Sequence, residues 1–146
     1  MEKIVTSFNR DVKIEKKYIS EKLVETTIYK SNGYIDNKTI YINDETKIYK
    51  TFIHGKVNEV KHYKNDLLHN EISPAVIQYF FSSDKISGAM WFHHGEFYRI
   101  DNLPTEEQYY ENGNIRLEIW HKNDRSIIQQ IQYDTIYPIS KYNIIY

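Results

Sequence analysis

The sequence predicts an all-β fold, an antiparallel β-meander built from repeats of about 29 residues that form an elongated or curled sheet with terminal caps. The composition is the first observation, because 22 Ile and 14 Tyr stand against 5 Leu and 2 Ala, which favours pleated strands over helices. Ile115, Leu117 and Ile119 alternate with more polar residues, the two-residue period of a strand. A shift of about 29 residues also brings similar residues into register.

We predict one domain over residues 1–146. Residues 1–26 show no repeat register and are assigned to an N-terminal, non-repetitive cap. Repeats occupy residues 27–124, most clearly 56–124, and residues 125–146 are a degenerate repeat or C-terminal cap. Caps are expected because a short meander unit cannot bury its apolar face alone, so the end units of a stack need cover.

Three segments carry the repeat most clearly: they read KVNEVKHYKND from Lys56, KISGAMWFHHG from Lys85 and NIRLEIWHKND from Asn114. Each holds aromatic or His residues just before a turn. Because side chains alternate along a strand, equivalent residues are expected to form ladders on the two faces of the sheet. The predicted ladders are His62, Trp91 and Trp120 on one face and Tyr63, Phe92 and His121 on the other.

Turns and loops separate these segments. Gly113 lies in an Asn-Gly pair, a strong hairpin signal. Prolines precede strands, where the missing N–H does least harm. The predicted structural positions of the repeat are Asp66, His69, Pro74, Gly95, Tyr98, Pro104 and Gly113.

Two stretches, DLLHNEISPAVIQYF from Asp66 and GEFYRIDNLPTEEQYYENGNIRLEIW from Gly95, resemble MORN-variant repeats. Such arrays are found in giant viruses of amoebae and in their associated virophages or mobile elements. Asn70, Ser73 and Leu103 depart from the family pattern. The resemblance implies an elongated antiparallel sheet, a binding or scaffolding role, no known active site and a viral or virus-associated origin.

The charge balance argues against a nucleic-acid partner, because 19 Lys plus Arg against 20 Asp plus Glu leave no attractive field for phosphates. A membrane partner is also disfavoured, since the chain lacks a basic rim and a long apolar run. The first ten residues lack the apolar core of a signal peptide. We therefore expect a soluble intracellular protein, placed in the host cytoplasm or the virion if it is viral.

No catalytic, cofactor-binding or metal-ligating residues are predicted. The chain has no Cys and no nucleophile motif. His93 and His94 are neighbours whose side chains should diverge, and His62 and His121 lie two units apart, so converging metal ligands are not expected. Consecutive Glu106 and Glu107 should leave opposite faces of a strand and so not act as a catalytic pair.

Aromatic residues make up 15% of the chain and are the residue class whose share is unusually high. The candidate interaction face is assigned to Tyr79, Trp91, Tyr109 and Trp120, whose positions recur between repeats. Packing within the sheet explains that recurrence equally well.

The predicted function is a non-catalytic repeat scaffold that mediates protein–protein interaction, with a viral or host protein as partner or with a second copy bound through edge strands. A membrane-surface, phospholipid-associated module is the first alternative, and an uncharacterised enzyme is the second.

Overall fold

The computed structural model describes residues 1–134 and the main chain of residues 141–144. The described residues form fifteen strands and one short 3₁₀ turn, Ile100–Asn102. The strands are β1 (Glu2–Asn9), β2 (Val12–Ile19), β3 (Lys22–Tyr29), β4 (Ile35–Tyr41), β5 (Thr46–Ile53), β6 (Lys56–Lys64), β7 (Leu67–Leu68), β8 (Val76–Tyr79), β9 (Ile86–Met90), β10 (Phe92–His93), β11 (Glu96–Phe97), β12 (Glu106–Tyr109), β13 (Ile115–His121), β14 (Ile127–Tyr133) and β15 (Lys141–Ile144).

The strands pair antiparallel and almost always with their neighbours in the chain. The main sheet follows the order β1-β2-β3-β4-β5-β6-β8-β9-β12-β13-β14-β15, with β7 paired to β6. Strands β10 and β11 form a separate two-stranded hairpin. The predicted all-β antiparallel meander is therefore confirmed.

Main-chain hydrogen bonds repeat with the same spacing as the sequence. His62 donates its N–H to Ala75 O at 2.8 Å, and Trp91 donates its N–H to Thr105 O at 2.9 Å. Ala75 in turn donates to a carbonyl of β9, and Thr105 to a carbonyl of β13, both at 2.9 Å. The loops that contain Pro74 and Pro104, here called the proline loops, thus join the same strand positions in successive units.

Tight turns with positive φ recur as well. Asn65 and Asp66 have φ of 50° and 62°, and His94 and Gly95, 29 residues later, have φ of 50° and 84°. Two successive residues of positive φ match the right-handed twist of a two-residue hairpin, which is why Asn, Asp and Gly suit them. The turn residues therefore fix where each strand reverses.

The first 26 residues, predicted as a non-repetitive cap, contain strands. Residues 2–29 form strands β1, β2 and β3, which continue the meander. Their assignment as a cap stays a prediction. The predicted C-terminal cap, residues 125–146, contains β14 and β15, and its residues 135–140 and 145–146 lie outside the described part of the chain.

The core lies in the repeat region. Ala75, Val76 and Phe92 are buried together, and Leu68, Met90 and Phe97 pack against them. Phe92 and Phe97 belong to the β10–β11 hairpin, whereas Val76 and Met90 are paired in the main sheet. The hairpin therefore forms a second layer over one face of the sheet between β8 and β13.

No helix among the described residues has the length and apolar character that crossing a membrane would need.

Candidate functional sites

Strand register places the four predicted interaction residues on one face of the sheet. Ala89 pairs with Glu107 and Glu107 with Glu118, which fixes the face shared by these positions. Side chains two positions apart in a strand share a face, and each of the four aromatic residues lies two positions after a residue of this paired row. We call it the aromatic face: Tyr79, Trp91, Tyr109 and Trp120.

Trp91 is engaged within the protein. The guanidinium carbon of Arg99 lies 3.6 Å from the centroid of the Trp91 ring, a cation–π contact. Arg99 Nη1 also donates to Pro104 O at 3.0 Å and forms an ion pair with Glu107. The Trp91 ring thus packs against Arg99, whose contacts are all within the protein's own fold.

Tyr109 is engaged by the same carboxylate, because its hydroxyl donates to Glu107. Burial and this hydrogen bond raise the pKa of Tyr109. Trp120 donates its indole N–H to Asn102 O at 2.8 Å. Tyr79 lies apart, in a shallow groove beside Lys56 and other residues of the β5–β6 region.

One carboxylate pair was missed from the sequence. Glu106 and Glu107 do leave opposite faces of β12, as expected, because Glu106 pairs with Ile119 and Glu107 with Glu118. That register brings Glu107 and Glu118 directly across from each other. Each accepts a tyrosine hydroxyl, Glu107 from Tyr109 and Glu118 from Tyr133. Only strand register, which the sequence does not reveal, identifies such a pair.

Burial and the hydrogen bond to Glu118 raise the pKa of Tyr133 to about 12. Together with Tyr109, this hydroxyl stays protonated at neutral pH and remains a donor. Both carboxylates are therefore occupied by internal donors.

The expectation that His93 and His94 diverge is wrong. His69, His93 and His94 each offer one ring nitrogen, and these three atoms all lie within 4.8 Å of one another. We call this group the histidine cluster. His93 ends β10, but His94 has a φ of 50° in the turn, and this left-handed conformation breaks the strand alternation. The two side chains therefore converge on one side.

His69 is the buried member of the histidine cluster. Its Nδ1 accepts the main-chain N–H of His94 at 3.2 Å. Its Nε2 is buried and has no hydrogen-bond partner in the described structure. Burial, followed by the neighbouring His94 and His93, lowers the pKa of His69. The position predicted as structural thus carries an unsatisfied polar atom.

Strand β1 is an open sheet edge. Among the described residues it pairs only with β2, so one row of its main-chain N–H and C=O groups has no sheet partner. All eight of its residues are exposed. Ile4 and Phe8 point to one face and Val5 to the other, so apolar side chains flank the open edge on both sides.

His121 links the two layers of the repeat region. Its ring stacks on Phe97 with centroids 4.0 Å apart and planes 9° apart, and its Nδ1 lies 3.1 Å from Thr105 Oγ1. Burial lowers the pKa of His121, and the nearby Glu106 carboxylate opposes that effect.

We expect stability to fall on acidification because of this histidine. With a folded-state pKa below the ordinary value of about 6.5, the unfolded chain binds the proton first as the pH drops. The free energy of unfolding should therefore decrease from about pH 7.5 towards pH 5.5. His121→Phe, which keeps the stack on Phe97, should flatten this dependence in urea unfolding series. The same change at exposed His54 serves as control; equal pH profiles for wild type and His121→Phe would contradict the assignment.

The chain matches no known family model, and none of the curated proteins with which it was compared matches it. Three features of the molecule bear on its function: the aromatic face, the histidine cluster and the open edge of β1.

Proposed function

We propose that the protein is a non-catalytic repeat scaffold that binds another protein through strand β1, onto which the partner adds an extended segment as a further strand. The observation that carries this proposal is the open edge of β1, where eight successive residues are exposed and, within the described part of the chain, pair on one side only. A docking strand would satisfy the unpaired main-chain groups and cover the apolar side chains that flank them.

The sequence of β1 suits strand addition. Proteins protect exposed edges with prolines, lysines or bulges that discourage pairing. In β1 the charged residues Glu2 and Lys3 stand at its start, and the six residues from Ile4 to Asn9 carry neither charge nor proline. The β1–β2 register is also regular along all eight pairs. The edge is therefore straight enough and long enough to accept another strand.

The aromatic face is the weaker contact surface. Trp91, Tyr109 and Trp120 already hold Arg99, Glu107 and the main chain of the proline loop. Their rings are half-buried by these contacts. Packing within the protein therefore accounts for their recurrence, whereas all eight residues of β1 are exposed.

Three further points support a scaffold. The hydrogen bonds of the proline loops repeat from unit to unit, as they would in an array whose parts all serve one architecture. The resemblance to MORN-variant repeats favours the same role and a viral or host protein as partner. Glu107 and Glu118, the paired carboxylates, are committed to tyrosine donors, which favours a structural role over acid–base chemistry.

Affinity capture with the double variant Ile4→Lys/Phe8→Lys tests the proposal. The tag belongs at the C-terminus, away from β1. The charges should abolish recovery of partners that wild type retains, because a lysine beside an open edge opposes strand pairing. Ile72→Lys is the matched control, since Ile72 is a 93% exposed apolar residue of a proline loop.

Equal recovery by the double variant and by wild type would contradict binding at β1. Loss of the partner with Trp91→Ala or Trp120→Ala alone would move the contact to the aromatic face instead. Sedimentation equilibrium distinguishes the source of the added strand: a concentration-dependent dimer that the double variant lacks would identify a second copy as the partner.

A further inference from the structure

We propose that His69, His93 and His94 form a binding site for a late first-row divalent transition metal ion, with Zn²⁺ as the representative. This site is independent of the contact proposed for β1, because β1 is the first strand of the sheet order and His69 follows β7, which pairs with β6 near the middle of that order. It uses three imidazoles, the ligand type that suits Zn²⁺, Cu²⁺ and Ni²⁺.

The ring geometry is close to that of a three-histidine site. The ring centroids are 4.7 Å apart for His69 and His93, 4.5 Å for His69 and His94, and 4.4 Å for His93 and His94. Three nitrogens at about 2.1 Å from a tetrahedral Zn²⁺ are roughly 3.4 Å from one another. The nitrogens of the histidine cluster, all within 4.8 Å, need to move only slightly closer together, and the two residues that would move, His93 and His94, are exposed.

The main chain holds the three histidines in place before any ion arrives. Asn70 donates its N–H to Phe92 O at 3.1 Å, and Gly95 donates its N–H to Leu68 O at 2.8 Å. These bonds clamp the segment around His69 against the β10–β11 hairpin on both sides of the cluster. His69 also donates its own N–H to His62 O at 3.0 Å. The buried ligand therefore sits on a fixed frame, as a preorganised site requires.

The buried Nε2 of His69 is the second observation that points to a ligand. Buried polar atoms almost always have a hydrogen-bond partner, yet this nitrogen has none in the described structure. The nearest carboxylate oxygen, Glu71 Oε1, is 3.8 Å away, beyond hydrogen-bond distance. Its negative charge favours a cation at the cluster, and the ammonium of Lys64 acts in the opposite direction. The exposed side leaves a fourth coordination position to water.

Metal binding exchanges one hydrogen bond for a coordinate bond. Because Nδ1 of His69 accepts the His94 N–H, the neutral ring carries its proton on Nε2. An ion on Nε2 displaces that proton, and a neutral ring then carries its proton on Nδ1, where it faces the His94 N–H. The 3.2 Å contact therefore opens when the ion binds. The His94 amide is thus a specific reporter of occupancy.

Titration of the tag-free, EDTA-treated full chain with ZnCl₂ by calorimetry tests the site. We expect one ion per chain, with a matching rise in Tm. His93→Gln and His94→Asn should each weaken binding at least about 10-fold, because each removes one ligand. Asn tolerates the left-handed conformation of residue 94, so this variant keeps the turn.

His54→Asn is the matched control. His54 precedes Gly55 in a turn with φ of 47° and 81°, the same conformation as His94 and Gly95, but it lies outside the cluster. This variant should bind Zn²⁺ like wild type. A shift of the His94 amide signal in a ¹⁵N-¹H spectrum on adding one equivalent completes the expected result. No saturable one-to-one binding by wild type, or equal affinity in His94→Asn and His54→Asn, would overturn the proposal.

Discussion

Replacing Phe92 by Ala should lower the free energy of unfolding by about 3 kcal/mol, because it empties the centre of a small core. Phe92 is 6% exposed and stacks on Phe97 with ring centroids 4.3 Å apart. Phe97 in turn stacks on His121, so the substitution removes one end of a three-ring stack. Urea unfolding followed by circular dichroism measures the change.

Phe8 provides the matched control for that substitution. It is the same residue type in a strand of the same sheet, but it is 72% exposed on β1. Phe8→Ala should change the free energy of unfolding by no more than about 0.5 kcal/mol. Similar losses for the two variants would mean that the hairpin does not form the core layer described above.

Replacing Arg99 by Met should cost about 3 kcal/mol, because it leaves a buried carboxylate without its cation. The side chains of Arg99 and Glu107 are 19% and 11% exposed, so solvent screens their ion pair only weakly. Arg99 also covers the Trp91 ring and bonds to Pro104 O, and both contacts are lost. Thermal and urea unfolding of the variant measure the loss.

The double variant Arg99→Met/Glu107→Gln separates charge from packing. Gln removes the stranded charge but still accepts the Tyr109 hydroxyl, so stability should recover in part relative to Arg99→Met alone. Lys22→Met, which breaks the exposed pair with Asp44, is expected to have no measurable effect. An additive double variant, with no recovery, would show that the ion pair contributes little.

The sequence predicted those features that local signals encode. Alternation along Ile115–Ile119 and the Asn-Gly pair at Gly113 indicate strands and a hairpin without knowledge of the rest of the chain. Consecutive hairpins then lead to a meander, because each strand pairs with the next. The strands of residues 2–29 were not predicted from the repeat, because this segment has no similar residues at the fixed spacing.

The candidate sites depend on information that is not local. Glu107 and Glu118 meet only because one particular register joins β12 to β13. His69 and His94 are 25 residues apart, and their contact requires the proline loop to run beside the β10–β11 hairpin. The left-handed φ of His94, which turns its ring towards His93, was also not predicted, because few residues other than Gly adopt that conformation. Long-range pairing and one unusual dihedral angle thus account for what was missed.

The one-sided hairpin layer has a consequence for how the molecule opens. Nearly every strand pairs only with its neighbours in the chain, so the sheet can unfold locally, strand by strand, from an end. The two-layered region around β8, β9 and β13 contains the core and should be locally the most stable. Local stability should decrease towards β1 and β2, because β1 is exposed. Amide hydrogens should therefore exchange with solvent at graded rates, fastest in β1 and slowest in β8 and β9, which Phe92 covers.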